Sequence, residues 1–142
     1  MTEGSKGEQL HFAAADGELG RVKALVEAGA DVNAFDESLS FTPLHHAVRG
    51  GHLAVAAYLL SVGADVNAHD EQAIGETALG TVAANCSYAI AELLIDAGAD
   101  PTIAGWMQLT ALHRAEGRKT EEGRHVYGLL LSAARRRGVV PG

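Results

Sequence analysis

Residues 42–67 read TPLHHAVRGGHLAVAAYLLSVGADVN, and this stretch decides the fold. It predicts two short helices in succession. Thr42 can cap the first helix with its hydroxyl, and Pro43 suits the first helical position because its missing N–H is not needed there. The Gly-Gly pair that follows ends this helix, and a second apolar stripe runs from about His52 to Ser61. The stretch therefore predicts one helix-turn-helix unit.

The same pattern recurs along the chain. Gly-Ala-Asp begins at residues 29, 63 and 98, so its copies are 34 and 35 residues apart. A second string begins with threonine at residues 42, 77 and 110. Counting back from the first Gly-Ala-Asp places a degenerate copy at Glu8. We predict units at 8–41, 42–76, 77–109 and 110–137, a flexible N-terminus over 1–7 and a tail over 138–142.

These strings resemble the ankyrin repeat. The resemblance lies in Thr-Pro-Leu-His-x-Ala at 42–47, Gly-His-Leu at 51–53 and Leu-Leu-x-x-Gly-Ala-Asp-Val-Asn at 59–67, and it covers about residues 8–137. It implies an all-α fold, an ankyrin-type repeat solenoid of helix-turn-helix units linked by β-hairpin-like loops. It also implies a protein-binding module, which we expect to act as a regulator, a scaffold or an inhibitor. We expect no cofactor. The atypical first and fourth units are expected to cap the stack.

A set of motif residues is expected to serve the fold. The resemblance assigns the recurring histidine a hydrogen bond between repeats. The neighbouring His45 and His46 point about 100° apart on a helix, a poor geometry for one ion, so we predict no metal site. Gly80 replaces the histidine in the third unit, which is expected to be locally looser. The structural set is Thr42, Pro43, Leu44, His45, Gly51, Gly63, Thr77, Gly98, Thr110 and His113.

Composition narrows the function. The net charge of −7 disfavours nucleic acid, which needs a basic surface, and favours a protein partner with some basic surface. The single cysteine, Cys86, permits no internal disulfide and is expected to be structural. Neither a secretion signal nor a membrane-spanning run is visible, so a cytoplasmic protein is expected. The charged segment 116–124 is expected to be a solvated loop between two helices.

Residues that the repeat does not need are the candidates for binding. By resemblance, such arrays bind through hairpin tips and the concave face of the first helices. The first two links from Asp to Thr are 11 and 12 residues long, whereas the third has the family's usual 10, and loop insertions often carry binding. The candidates are Phe35, Glu37, Leu39, Arg49, His69, Glu71, Gln72, Ile74, Asn85, Trp106, Met107 and Arg118.

Some alternatives stay open at this point. Apolar tip residues either project as anchors or fold back over the core; folding back is favoured for Phe41 and Leu109, whereas Phe35 and Trp106 are undecided. We expect a monomer, with a self-associating homodimer as the alternative. A ligand-binding protein or enzyme is a further alternative, although the sequence has no phosphate loop, CxxC pair or HExxH motif.

Overall fold

The computed structural model describes residues 6–37, 39–70 and 75–138. Within them the chain forms four successive pairs of helices. The first helices of the pairs stack in one row and the second helices in another, which confirms the predicted all-α helical repeat. The helices are α1 Lys6–Asp16, α2 Leu19–Glu27, α3 Pro43–Arg49, α4 Leu53–Ser61, α5 Ala78–Val82, α6 Tyr88–Asp96, α7 Ala111–Glu116 and α8 Glu121–Arg136.

The core runs through all four pairs. Leucines at equivalent places on the first helices are buried, as are alanines that let neighbouring helices approach closely. Most of these helices are too short to be stable alone, so burial between units stabilises them. None of the helices in the described part of the chain is long and apolar enough to cross a bilayer. Core residues of the first helices include Leu10, Ala13, Leu44, Ala47, Leu79, Val82, Leu112 and Ala115.

Motif threonines begin three of the first helices. The Thr42 hydroxyl accepts the His45 N–H at 3.5 Å, and the Thr42 N–H donates to His45 Nδ1 at 3.0 Å. Thr110 and His113 repeat this reciprocal cap at the start of α7. Thr77 caps α5 through its hydroxyl alone. These bonds satisfy N–H groups that a helix start leaves without partners.

The recurring glycine ends each second helix in the first three units. Gly29, Gly63 and Gly98 have φ angles of +98°, +100° and +96°, a left-handed conformation that only glycine adopts without strain. After Gly63, the Ala64 N–H donates back to the Leu59 carbonyl at 3.0 Å. Glycine is therefore required at this position by the backbone of the repeat.

Two asparagines of the recurring Asp-Val-Asn string connect successive units. The Asn33 side chain donates to the Gly63 carbonyl at 3.2 Å and accepts the Asp65 N–H at 2.7 Å. Asn67 makes the same two bonds one unit later, to Gly98 at 3.1 Å and to Asp100 at 2.7 Å. The asparagine of this motif therefore has a structural role, as a bridge between units.

The third unit does not continue this pattern. Thr102 stands in place of the asparagine, and its hydroxyl donates to the Asp100 carboxylate of its own unit at 2.6 Å. Arg137, just beyond α8, reaches back to donate to the Gly98 carbonyl at 2.7 Å and lies 3.6 Å from the Asp100 carboxylate. The fourth unit is thus joined to the third by an arginine at the end of its second helix.

The structure corrects two boundaries. The prediction that 116–124 is a loop was wrong, because only residues 117–120 connect α7 to α8. Thr120 caps α8, and the acidic residues of its first turn suit the positive end of a helix. At the other end of the chain, α1 begins at Lys6, inside the segment 1–7 that was predicted to be flexible.

Candidate functional site

The recurring histidine joins the second unit to the third. His45 is buried, and its Nε2 donates to the Glu76 carbonyl at 2.6 Å while its Nδ1 accepts the Thr42 N–H. Burial lowers the pKa of His45 to about 4, with help from the nearby His46, against the effect of the Glu76 carbonyl. His45 is therefore a neutral structural group at neutral pH.

His11 has the matching place in the first unit. Its Nε2 lies 2.7 Å from the carbonyl oxygen of Ala34, in the link to the second unit. His113 caps α7 and is exposed. In the described residues no cluster of three or more His, Cys, Asp or Glu side chains has the arrangement to hold a metal ion.

In the third unit, a carboxylate fills the space beside Gly80. A Cβ placed on Gly80 would lie 2.6 Å from Oε2 of Glu76, and Glu76 is itself buried. Its Oε1 accepts the Trp106 N–H at 3.0 Å and a guanidinium N–H of Arg114 at 2.5 Å. The expectation of a looser third unit is not supported, because Glu76 replaces the missing histidine as the link to the following unit.

Trp106 begins a 3₁₀ turn at the tip of the third link, Trp106–Gln108. Trp106 is 55% exposed and Met107 is 69% exposed. Met107 and Gln108 have φ angles of +58° and +61°, which cost energy for residues that are not glycine. The Gly105 N–H donates to the Leu109 carbonyl at 2.9 Å and closes the turn. The tip thus holds two large apolar side chains in solvent on a constrained backbone.

A shallow groove lies between this tip and the second unit. We call it the tip groove; its volume is about 430 Å³. The Arg49 guanidinium lies 5.4 Å from the centre of the Phe41 ring on its floor. The groove combines an apolar floor with one acidic and two basic side chains. Its lining includes Leu39, Phe41, Arg49, Glu76, Trp106 and Arg114.

A deeper groove lies beside the first unit and shares Leu39 with the tip groove. We call it the first-unit groove; its volume is about 500 Å³. Phe12 and Phe35 line it, and both are exposed. Phe12 was not among the predicted binding candidates. It lies in the degenerate first unit, where no motif shows which residues the repeat needs for packing. The lining also includes Glu8, Asp36, Glu37 and His46.

Asp36 organises the link between these two grooves. Its carboxylate accepts the N–H of Leu39 at 2.8 Å and lies 2.5 Å from Nε2 of His46. Partial burial raises the pKa of Asp36, but the hydrogen bonds from Leu39, His46 and Phe41 outweigh burial and hold that pKa below its ordinary value. Asp36 therefore keeps its negative charge at neutral pH.

The structure brings half of the predicted candidates to the two grooves. Phe35, Glu37, Leu39, Arg49, Trp106 and Met107 all lie in or beside the two grooves. Asn85 is exposed in the turn that follows α5. His69 is half-buried, and its Nδ1 lies 2.8 Å from the Asn67 carbonyl oxygen. Glu71, Gln72 and Ile74 lie outside the described residues.

Arg118 has a structural place that its selection as a binding candidate did not anticipate. Its guanidinium donates to the carbonyl groups of Cys86 at 2.9 Å and Ala83 at 3.4 Å, where α5 ends. Cys86 itself is buried, and burial raises the pKa of its thiol despite the nearby Arg118. Both residues belong to the contact between the third and fourth units.

The two tip residues that precede a motif threonine behave differently. Phe41 is buried and stacks on the His45 ring with 4.8 Å between centroids, as expected for a side chain that folds back. Leu109 is 38% exposed, so the expectation that it folds back was wrong. The 3₁₀ turn before Leu109 explains the difference, because the first link lacks such a turn in its described residues.

Stacked helix pairs with capped first helices and glycine-terminated second helices define a helical repeat protein. Residues 10–60 match the family model of ankyrin repeats (many copies). Over these residues the match agrees with the ankyrin-repeat resemblance predicted from the motifs. No curated protein matches the chain. Ankyrin repeats are generally protein–protein interaction modules.

Proposed function

We propose that this protein binds another protein through its tip surface, which consists of Trp106, Met107 and the adjoining tip groove. The observation that carries the proposal is the exposure of two large apolar side chains on a turn that bears two positive φ angles. Backbone strain of this kind persists only where the surrounding contacts hold it, and it clusters at functional sites.

The contacts around the tip keep it in one conformation. Glu76 bonds the Trp106 N–H, and an Arg114 guanidinium N–H lies 3.3 Å from the Trp106 carbonyl oxygen. A tryptophan whose backbone is already ordered loses little entropy when it enters a partner's pocket, and tryptophan is a favoured hot-spot residue. Met107 beside it adds an adaptable apolar contact. The tip is thus a preorganised anchor.

The proposal includes a cytoplasmic location and a monomeric state before partner binding. One free, buried thiol fits a reducing compartment. Cell fractionation tests the location, and light scattering over a concentration series tests the oligomeric state. A stable dimer in which the fluorescence of Trp106 reports burial would favour the self-associating alternative over a distinct partner.

The decisive experiment compares partner capture by the wild type and by the Trp106→Ala/Met107→Ala variant, using lysate of the source cell and mass spectrometry. We expect the variant to lose the specific partner, because hot-spot truncation weakens binding by about ten-fold or more. Its thermal midpoint should stay close to that of the wild type, because both side chains are mostly exposed.

The matched control is Leu53→Ala, which removes an exposed apolar side chain at the start of α4. This variant should retain the partner. A large loss of stability in the tip variant with capture intact would show that Trp106 and Met107 serve the fold, and would overturn the proposal.

A further inference from the structure

We propose that the first-unit groove takes an extended partner segment in which arginine or lysine adjoins a bulky apolar residue. This inference rests on the proposed function and adds the chemistry of the partner. The groove has two properties that together select such a segment. Its walls carry exposed aromatic rings, and its lining holds three carboxylates and no lysine or arginine, with His11 and His46 as its only basic side chains among the described residues.

The aromatic part consists of Phe12 on α1 and Phe35 in the first link. Phe12 is 59% exposed and Phe35 is 41% exposed, and both line the same cavity of about 500 Å³. A cavity of this size accepts one or two large side chains. Two phenylalanines that keep this much surface in water gain free energy when an apolar side chain covers them.

The charged part consists of Glu8, Asp36 and Glu37. No lysine or arginine lies among the described residues that line the groove. The hydrogen bonds of Asp36 keep it ionised, and the Glu37 side chain is exposed at the rim. Low-dielectric walls around charges of one sign focus the field, so the groove attracts a cationic side chain and repels an anionic one.

The neighbouring tip groove shows the same contact within the chain. There, Arg49 places its guanidinium 5.4 Å from the centre of the Phe41 ring. An arginine of a partner can stack on Phe12 or Phe35 in this way, because the carboxylates of Glu8, Asp36 and Glu37 line the same groove. Guanidinium groups suit this site because they stack on rings and pair with carboxylates at once.

The test uses fluorescent synthetic peptides and the full chain. The probe peptide alternates arginine with leucine and phenylalanine. One comparison peptide carries glutamate in place of arginine, and the other carries serine in place of the apolar residues. Fluorescence anisotropy measures the dissociation constants. We expect the probe to bind, and both comparison peptides to bind at least about ten-fold more weakly. Added salt should lower the affinity of the probe.

Protein variants locate the binding site. Phe12→Ala should raise the dissociation constant of the probe peptide by about ten-fold, and Glu37→Lys should raise it by about five-fold. Glu27→Lys makes the same charge change at an exposed position on α2 and should alter binding by less than about two-fold. The thermal midpoints of all three variants should match the wild type, which separates lost contacts from lost folding.

The outcomes separate this inference from the proposed function. Absence of probe binding, equal binding of the glutamate or serine peptide, or binding that Phe12→Ala and Glu37→Lys leave intact would each overturn the inference. If the probe responds to Trp106→Ala and not to Phe12→Ala, the tip surface binds basic segments and the first-unit groove does not. Failure of the proposed function would show in a different experiment, as retention of the partner by the Trp106→Ala/Met107→Ala variant.

Discussion

The junction between the second and third units and the junction between the third and fourth units achieve the same link with different chemistry. In the first, a neutral imidazole on α3 donates to a backbone carbonyl, from His45 to Glu76. In the second, a buried carboxylate on the preceding link accepts from the Trp106 N–H and from Arg114. Glu76 takes part in both, through its carbonyl in one and its side chain in the other.

The difference shows that the spatial position of a linking group matters more than its place in the motif. Gly80 leaves the histidine position without a side chain, and Glu76, four residues earlier, enters the space. The substitution also changes what lies next to the link. The carboxylate fixes Trp106 and leaves its ring exposed, whereas His45 stacks on a buried phenylalanine, Phe41.

Breaking the carboxylate junction should have the largest effect. Glu76→Ala removes the partner of Arg114, whose Nε is buried and has no hydrogen-bond partner among the described residues. We expect a loss of about 3 kcal/mol in the free energy of unfolding, because the Trp106 N–H loses its acceptor and the guanidinium keeps only the Trp106 carbonyl at 3.3 Å. Urea denaturation measures it.

Glu116→Ala is the control for this prediction, because Glu116 is acidic and exposed at the end of α7. Its free energy of unfolding should change by less than about 0.5 kcal/mol. A loss below about 1 kcal/mol for Glu76→Ala would show that the carboxylate does not hold the third junction.

Acid should break the histidine junction selectively. The pKa of His45 is about 4 in the folded chain and near 6.5 when unfolded. Between these values the unfolded chain binds the extra proton, so its free energy falls relative to the native state as pH falls. We expect His45 to account for a loss of about 2 kcal/mol between pH 7 and about pH 5, measured by urea denaturation at each pH.

The comparison variant is His45→Gln, whose amide can still donate to Glu76 and does not titrate. The nearby His11, His46 and Asp36 remain in both proteins, so the difference between the two pH profiles isolates His45. Parallel profiles would contradict a depressed His45 pKa.

A smaller effect is expected for Gly80→Ala, which should destabilise the protein although glycine-to-alanine changes in helices usually stabilise. In an ordinary helix, Gly→Ala stabilises by up to about 1 kcal/mol. At Gly80 the added methyl group would lie 2.6 Å from the fixed Glu76 carboxylate, so Gly80→Ala should destabilise by about 1 kcal/mol. Thermal unfolding of the single variants and of the double variant with Glu76→Ala gives the coupling.

In the Glu76→Ala background the same Gly80→Ala change should become neutral or stabilising, because the obstructing carboxylate is gone. Gly128→Ala is the matched control, since its Cβ would meet open space on α8. Destabilisation of equal size in both backgrounds would mean that Gly80 does not accommodate Glu76.

The repeated strings made most of the fold predictable. Thr42 and Gly63 identify a helix start and a helix end from local chemistry alone, and copies of them recur along the chain. The role of Glu76 was not predictable, because its partner Arg114 lies 38 residues later and meets it only after two units have stacked. Long-range pairs of this kind leave no periodic signal.

The candidate site was predictable in its location and not in its geometry. Loop length singled out the first two links and apolar composition singled out the third, and Phe35 and Trp106 in these links are exposed. The turn that projects Trp106 depends on positive φ angles at Met107 and Gln108. Neither residue is glycine, so the sequence does not indicate these angles. The exposure of Phe12 depends on the depth of the groove beside α1, which only the folded chain defines.

The asparagine bridges have a consequence for how such a chain can lengthen. A copy of the second unit inserted between the second and third would meet Asn67 before it and supply its own asparagine after it, so both bridges are preserved. A unit inserted between the third and fourth would meet Thr102 in the place of the asparagine and would separate Arg137 from the Gly98 carbonyl. Growth by duplication is therefore compatible with the junction between the second and third units and hindered at the junction between the third and fourth.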